Sequence, residues 1–446
     1  MKLIASFCLP LMIGQFFQQF YNMVDSIIIG RFAGTAELSA VGSTGSLSFM
    51  VIGFVSGICA GFAIPVAQAF GAGDYTKLRK YFANSVYLSA FFSVVLSAVT
   101  MIFTRPVLEL MNTPESIIDM AHDYIFIIFS GLTATIFYNL FASVLRAIGD
   151  SKTPLYFLIF SSVLNIILDL FFVVVLKMAC KGVAIATVIA QLISAVLCLI
   201  VIKRRFEILH ISGDEWKLDF KLCSRLLYIG VPMALQFSIT AVGSIMLQSA
   251  VNTLGENVIA AVTVGGKIQL LVVLPAETIG LTMATYCGQN LGARKIDRIK
   301  KGINSALILA AAYCVIATCI SFFFGETLSL LFVGKEQTQV VSLVGRFLKI
   351  CSLIYPALIV LFVYRNSIQG LGYSIPAMLA GFFELAARAV MGFFIIPRFG
   401  YDAVCLANPM AWIAADILLI PTYYIVYNKV KKKILKKSVD FNEDLS

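Results

Sequence analysis

Residues 154–176 read PLYFLIFSSVLNIILDLFFVVVL, and runs of this length and character follow one another almost without pause along the chain. A stretch of ~20 apolar residues crosses the hydrocarbon core of a bilayer as a helix. In hydrocarbon only helices and closed barrels satisfy their own backbone hydrogen bonds. The runs predict twelve helices, near 3–30, 37–68, 78–103, 116–148, 154–176, 181–203, 224–253, 258–290, 301–324, 337–370, 374–396 and 402–428. The content, 60% hydrophobic and 13% charged, agrees with an integral membrane protein and excludes an ordinary soluble domain.

The first run, from Leu3 to about Gly30, is too long for a signal-peptide core and has no small-residue cleavage pattern, so it reads as a true span. The ten cysteines are scattered through apolar stretches without a C-x-x-C pair. They read as small buried hydrophobes, not as a disulfide framework or metal ligands. His122 and His210 stand too far apart for a histidine-based metal site, and no nucleophile–base cluster marks an enzyme. No cofactor is expected.

The net charge of +10 does not point to nucleic acid, because of where the charges lie. If both termini are cytoplasmic, most basic residues fall on that side, among them Lys77, Arg79, Lys80, Arg294, Lys295, Arg298 and the tail lysines from Lys429 to Lys437. The opposite loops hold Arg31, Arg105, Lys177, Lys181, Lys335 and Arg398. This positive-inside bias predicts an even number of spans in the cytoplasmic membrane, with both ends inside. The basic tail reads as a solvated or lipid-headgroup segment.

The chain repeats itself. QAFGAGDYTKLRKYFANS (68–85) matches QNLGARKIDRIKKGINS (289–305), with Gln68, Gly71, Ala72 and Lys80 opposite Gln289, Gly292, Ala293 and Lys301. Pro10 falls opposite Pro232, Gly34 opposite Gly255, and RAIGDSKTP (146–154) opposite QGLGYSIP (369–376). Six spans per copy give both copies the same orientation, so the repeats are parallel about an axis along the membrane normal. The predicted parts are an N-lobe over 1–205, a cytoplasmic linker over 206–222, a C-lobe over 223–430 and a basic, polar tail over 431–446. Parallel halves of this kind suit a transporter working by alternating access.

Depth places the polar residues. An Asp at the centre of a membrane helix costs roughly 2.5–3.5 kcal/mol on insertion scales, so one that persists reads as functional. At a rise of ~1.5 Å per residue, Asp169 lies about 22 Å along its helix from the cytoplasm, in the outer half. Asp25 falls near the outer end of the first span, Thr187 about 9 Å in from outside, and Tyr124 about two turns in. Asn165 sits one turn below Asp169 on the same face. Two carboxylates with neutral oxygen donors suit a proton or a sodium ion, and two neighbouring carboxylates do not both ionise easily.

These residues resemble the multidrug and toxic compound extrusion (MATE) transporters. The resemblance covers essentially the whole chain and rests on VDSIIIGRFAG (24–34), the two Q-x-x-G-A elements, LRAIGDSKTP, NIILD and GVAIAT (182–187). It implies an all-α membrane protein of twelve helices in a V-shaped pair of parallel-repeat six-helix bundles. It also implies export of amphipathic, mostly cationic organic compounds in exchange for H⁺ or Na⁺, with no partner beyond membrane lipid and with the monomer as the working form. The family's ion pocket maps onto Asp25, Asn165, Asp169 and Thr187, with Gln18, Tyr124 and Asn139 as neighbours. One departure is plain: PMALQFSITAVGS (232–244) lacks the acid that some members carry there. The second copy instead holds Glu277, with no partner closer in sequence than Lys267, and Glu384 with Arg388 four residues on. Glu277 is a candidate contact for cationic substrate, and Glu384 and Arg388 pair or line a substrate site. A lipid-linked saccharide flippase of the same superfamily is the alternative, with Arg346, Lys349, Arg365 and Arg388 as its candidate pyrophosphate contacts. A major-facilitator transporter shares the parallel halves but not the N-x-x-x-D and Q-x-x-G-A elements.

Overall fold

The computed structural model describes residues 1–111 and 113–443, with side chains as far as Leu435. The last residues of the predicted tail, 444–446, lie outside the described residues. Helices α1 (Lys2–Ile28), α2 (Thr35–Ser43), α3 (Gly45–Gly71), α4 (Tyr75–Leu110), α5 (Glu115–Ser130), α6 (Leu132–Ala147), α7 (Lys152–Asp169) and α8 (Ala179–Arg205) form the first half. The second half holds α9 (Phe220–Asn252), α10 (Glu256–Gly292), α11 (Ile296–Ser329), α12 (Thr338–Leu353), α13 (Tyr355–Gly370), α14 (Ser374–Val390), α15 (Ile396–Phe399) and α16 (Tyr401–Glu443). Among the described residues, ten helices are long and apolar enough to cross a membrane, and twelve if each of two bent pairs is one span.

Both bends occur at matching places in the two copies. The predicted 116–148 helix turns by 47° at Gly131, between α5 and α6, and the predicted 337–370 helix by 54° at Ile354, between α12 and α13. Glycine is a weak helix former, and Pro356 brings no N–H to the ladder and crowds the residue before it. The predicted 37–68 helix also breaks, at Thr44, where glycines stand on either side at 42 and 45 and the Thr44 hydroxyl donates to Val41 O at 2.8 Å. The final helix runs beyond the predicted 428 to Glu443. The predicted linker is not bare loop but holds two 3₁₀ turns, Glu207–Leu209 and Gly213–Trp216.

The chain divides into two compact units, Leu9–Ala234 and Met1–Cys8 with Leu235–Ser446. The division therefore falls inside α9, beyond the linker at which the sequence places it. Within the first unit, Gly57 and Gly61 explain why the start of α9 belongs there. A Cβ on Gly61 would stand 2.4 Å from Gly230 Cα, and one on Gly57 2.7 Å from Met233 O, so α3 and α9 touch backbone to backbone. Small residues four apart permit that approach in lipid, where packing and not water exclusion holds helices together. The same device recurs on α4, with Ser85, Ser89 and Ser93 buried, and on α11, with Ala306, Ala310 and Cys314 at the matching places. All the cysteines except Cys319 are buried.

The two copies share backbone detail. Gly34 and Gly255 take nearly the same left-handed conformation, φ 105° and 94°, immediately before α2 and α10. A π-helical turn follows α7 at Leu170–Val175 and another follows α14 at Met391–Ile395. A third, Ile29–Ala33, follows α1.

Candidate functional site

In the first unit, α1, α5, α7 and α8 bring their polar residues together. Asp25 and Asp169 lie within hydrogen-bonding reach, carboxyl to carboxyl. Asp169 is fully buried, Asn165 is 2% exposed, and Asp25 is half-buried with Oδ1 shielded. One turn along α7, Asn165 Nδ2 donates to Thr187 Oγ1 of α8 at 3.4 Å. Tyr124 of α5 lies beside both carboxyls, and Gln18 of α1 lies beside the Tyr21 hydroxyl, one turn from Asp25. The structure thus brings together Asp25, Asn165, Asp169, Thr187, Tyr124 and, through Tyr21, Gln18.

Asn139 stands elsewhere. Its Nδ2 donates to Thr135 O at 2.8 Å and its Oδ1 accepts from Ser56 at 3.5 Å, which ties α6 to α3. Two residues that sequence reasoning missed join the site instead. Tyr21 and Gln191 line a small cavity with Ser161, Asn165 and Thr187, open to the centre of a water-sized sphere over about 10 Å³. That is roughly room for one water. The available signal was spacing: Tyr21 precedes Asp25 by four residues and Gln191 follows Thr187 by four, one turn along the same faces.

The polar balance is one-sided. Among the described residues, Asp25 Oδ1, both Asp169 oxygens, Asn165 Oδ1 and Gln191 Oε1 are buried without a hydrogen-bond donor. All are acceptors. Buried acceptors left unpaired are costly, and a cation or an added proton supplies what this set lacks. Next to the π turns, Ile28, Ile29, Val173 and Val183 form an apolar collar against which Tyr124 packs. Low dielectric there strengthens whatever charge interaction the pair makes. Both carboxylate helices turn π shortly after their Asp, with Gly34 N bonding Ile29 O (3.0 Å) and Leu176 N bonding Phe171 O (3.0 Å). Such turns frequently mark functional sites within helices.

The second unit holds a different set. Glu384 of α14 pairs with Arg365 of α13 and, at 3.5 Å, with Arg388 one turn on. Arg388 also donates to Asn408 at 3.2 Å, and Asp416 of α16 lies within electrostatic reach of Arg365 and Glu384. All four charged groups are buried, at 3–7% exposure, and balance in sign. Gln369 donates to Gln236 at 2.7 Å. Sequence reading found the Glu384–Arg388 pair but not Arg365 as Glu384's partner, nor Asp416. Glu277 of α10 is half-buried and makes no ion pair or side-chain hydrogen bond among the described residues. Of the basic residues weighed for a pyrophosphate, Arg346 pairs with Asp402 (2.7 Å) and Lys349 with Glu326 (3.3 Å), while Arg365 and Arg388 share Glu384.

Comparison with known proteins agrees with this architecture. The model of the MatE family matches residues 10–171 and again 232–394, once per copy. A probable multidrug resistance protein YoeA of Bacillus subtilis is 29% identical over 75% of this chain and 74% of its own. A probable multidrug resistance protein NorM of Thermotoga maritima is 25% identical over 96% and 91%. A crystal structure of MATE in complex with MaL6 superposes with a TM-score of 0.89 over 97% of each chain at 19% identity, a likeness of fold. Matched in both halves by the family model, the chain belongs to the MatE family of multidrug efflux transporters, which are not enzymes.

Proposed function

We propose that this transporter is a secondary active antiporter, exporting amphipathic, mostly cationic small molecules in exchange for H⁺ or Na⁺. The observation that carries the reading is the facing pair of Asp25 and Asp169, with surrounding oxygens that lack donors. A proton or sodium ion bound there removes the repulsion between the carboxyls and supplies the positive charge that their unpaired oxygens lack. Occupancy then alters how α1 packs on α7 and α8, and so couples ion to conformation. Drug leaves when the ion loads from outside, and the ion leaves when drug loads from inside. The charge asymmetry supports both termini on the cytoplasmic side of the cell membrane, and one chain holds the whole ion site, so the monomer suffices. The neutralised basic residues of the second unit weigh against pyrophosphate capture and hence against the flippase reading.

The test is export of a fluorescent organic cation from proteoliposomes, under a pH gradient and a sodium gradient applied separately, with Asp169→Asn alongside. Export driven by one gradient and absent in the variant supports the assignment and identifies the ion. Undiminished export from folded Asp169→Asn protein would sink it.

A further inference from the structure

The two copies diverge at one loop whose backbone they share. In the first, α3 closes with Gly73 left-handed (φ 72°), Gly73 N donating to Phe70 O (3.1 Å) and Asp74 N to Ala69 O (3.1 Å). This is a glycine-closed helix end. Asp74 then caps α4 by accepting from Lys77 N at 2.9 Å. In the second copy α10 closes on the same two hydrogen bonds, Arg294 N to Leu291 O (3.0 Å) and Lys295 N to Asn290 O (2.9 Å).

Here, however, arginine occupies the left-handed position (φ 57°), and lysine occupies the cap without a capping bond. Each exchange is locally unfavourable. A side chain at positive φ is strained, the capping oxygen is gone, and a cation sits at the positive end of α11. A local rule broken without local gain points to a role outside the loop.

The cations frame a cavity. About 370 Å³ lies between this loop and α16, lined by Arg294, Lys295, Arg298 and Lys431 against a single acid, Asp297. Ile434 and the exposed Leu435 give it an apolar side. Tyr286 braces the loop by donating to Arg298 O at 3.1 Å, and Lys429 lies 5.6 Å from the Tyr373 ring. Tyrosines and basic residues together mark the headgroup level of a membrane.

We propose that this cavity binds the phosphate headgroup of an anionic phospholipid on the cytoplasmic face, with an acyl chain against Ile434 and Leu435. Guanidinium groups suit phosphate oxygens, and basic pockets between spanning helices on the cytoplasmic side recognise such headgroups. The cavity is roomier than a bare phosphate needs, and its apolar side favours a lipid over a soluble anion.

The test uses the full chain in neutral detergent, titrated with phosphatidylglycerol, phosphatidylcholine and glycerol 3-phosphate and read by native mass spectrometry. The key variant is Arg294→Gly with Lys295→Asp, which installs the first copy's loop and relieves its strain. Wild type is expected to retain one phosphatidylglycerol at least tenfold more tightly than phosphatidylcholine or glycerol 3-phosphate, and the double variant to lose that preference. Lys431→Gln, remote from the loop backbone, is expected to weaken retention severalfold and decides the matter if the double variant misfolds. Equal retention of the anionic lipid by wild type and variants would overturn the proposal. So would glycerol 3-phosphate binding as tightly as the lipid, which would mark a site for soluble phosphates.

Discussion

Asn165 donates its amide to Thr187 at 3.4 Å and keeps its own oxygen buried, with no donor for it among the described residues. The pair therefore presents oxygen, not N–H, to whatever occupies the site beside Asp169. Thr187→Val, which keeps the shape and removes the oxygen, is expected to weaken ion dependence of export by about tenfold, and Thr187→Ser to restore it. Transport assayed against pH and sodium concentration checks this. Unchanged dependence in Thr187→Val would remove Thr187 from the ion site.

Glu384 forms ion pairs with two buried arginines, Arg365 and Arg388. Glu384→Gln is expected to destabilise the protein by about 3–5 kcal/mol, because it strands both guanidinium groups. Adding Arg365→Gln should recover part of the loss. Asp416→Asn, by contrast, removes an oxygen that already lacks a donor and should change stability by about 1 kcal/mol or less in either direction. Thermal unfolding in detergent distinguishes the three. A Glu384→Gln protein as stable as wild type would mean that the arginines have other anionic partners.

The contact of Gly61 with Gly230 leaves no room for a methyl group on either side. Gly61→Ala is expected to force α3 from α9 at a cost of about 2–3 kcal/mol, seen as a lower melting temperature. Gly266→Ala, where nothing stands within 4 Å, is the matched control and should be neutral or slightly stabilising.

Acid should release the linker. Arg79 Nε lies 2.8 and 2.7 Å from the two oxygens of Glu215, and these bonds, helped by Ser212, hold the Glu215 carboxyl down at about 2, from an ordinary 4.5. A depressed carboxyl contributes stability that is whole above 4.5 and is lost as pH falls through 2. Hydrogen exchange of residues 206–219 is therefore expected to speed up as pH is lowered from 5 towards 2, after correction for intrinsic rates. In Glu215→Gln the protection should already be reduced at neutral pH and independent of acid.

Most of the architecture was legible in the sequence, because length and apolarity set a membrane span with little ambiguity. Residues such as Asp169 and Asn165 stood out for the opposite reason, as polar groups where hydrocarbon tolerates few. What escaped reading was orientation about each helix axis. Exposed residues such as Phe91 and Val94 are as apolar as buried Val55, so hydropathy does not tell one face of a helix from another. Asp416 carried the same signal as Asp169, an acid inside the predicted 402–428 span, but only the packing of α13, α14 and α16 shows which charges it meets. Asn139 entered only through the family resemblance, and in the structure its amide turns to Ser56 and Thr135.

The three π turns have a consequence for anyone aligning this chain with its relatives. Each holds one residue more than an α turn of the same height, at Ile29–Ala33, Leu170–Val175 and Met391–Ile395. A relative whose helix stays regular there has one residue fewer, and an alignment that forbids gaps inside helices then slips by one beyond the turn. A slip of one residue rotates every later side chain by about 100° around the axis. Correspondences beyond Ala33, Val175 and Ile395 are therefore matched by superposed backbone, and those up to Asp25 and Asp169 by sequence alone.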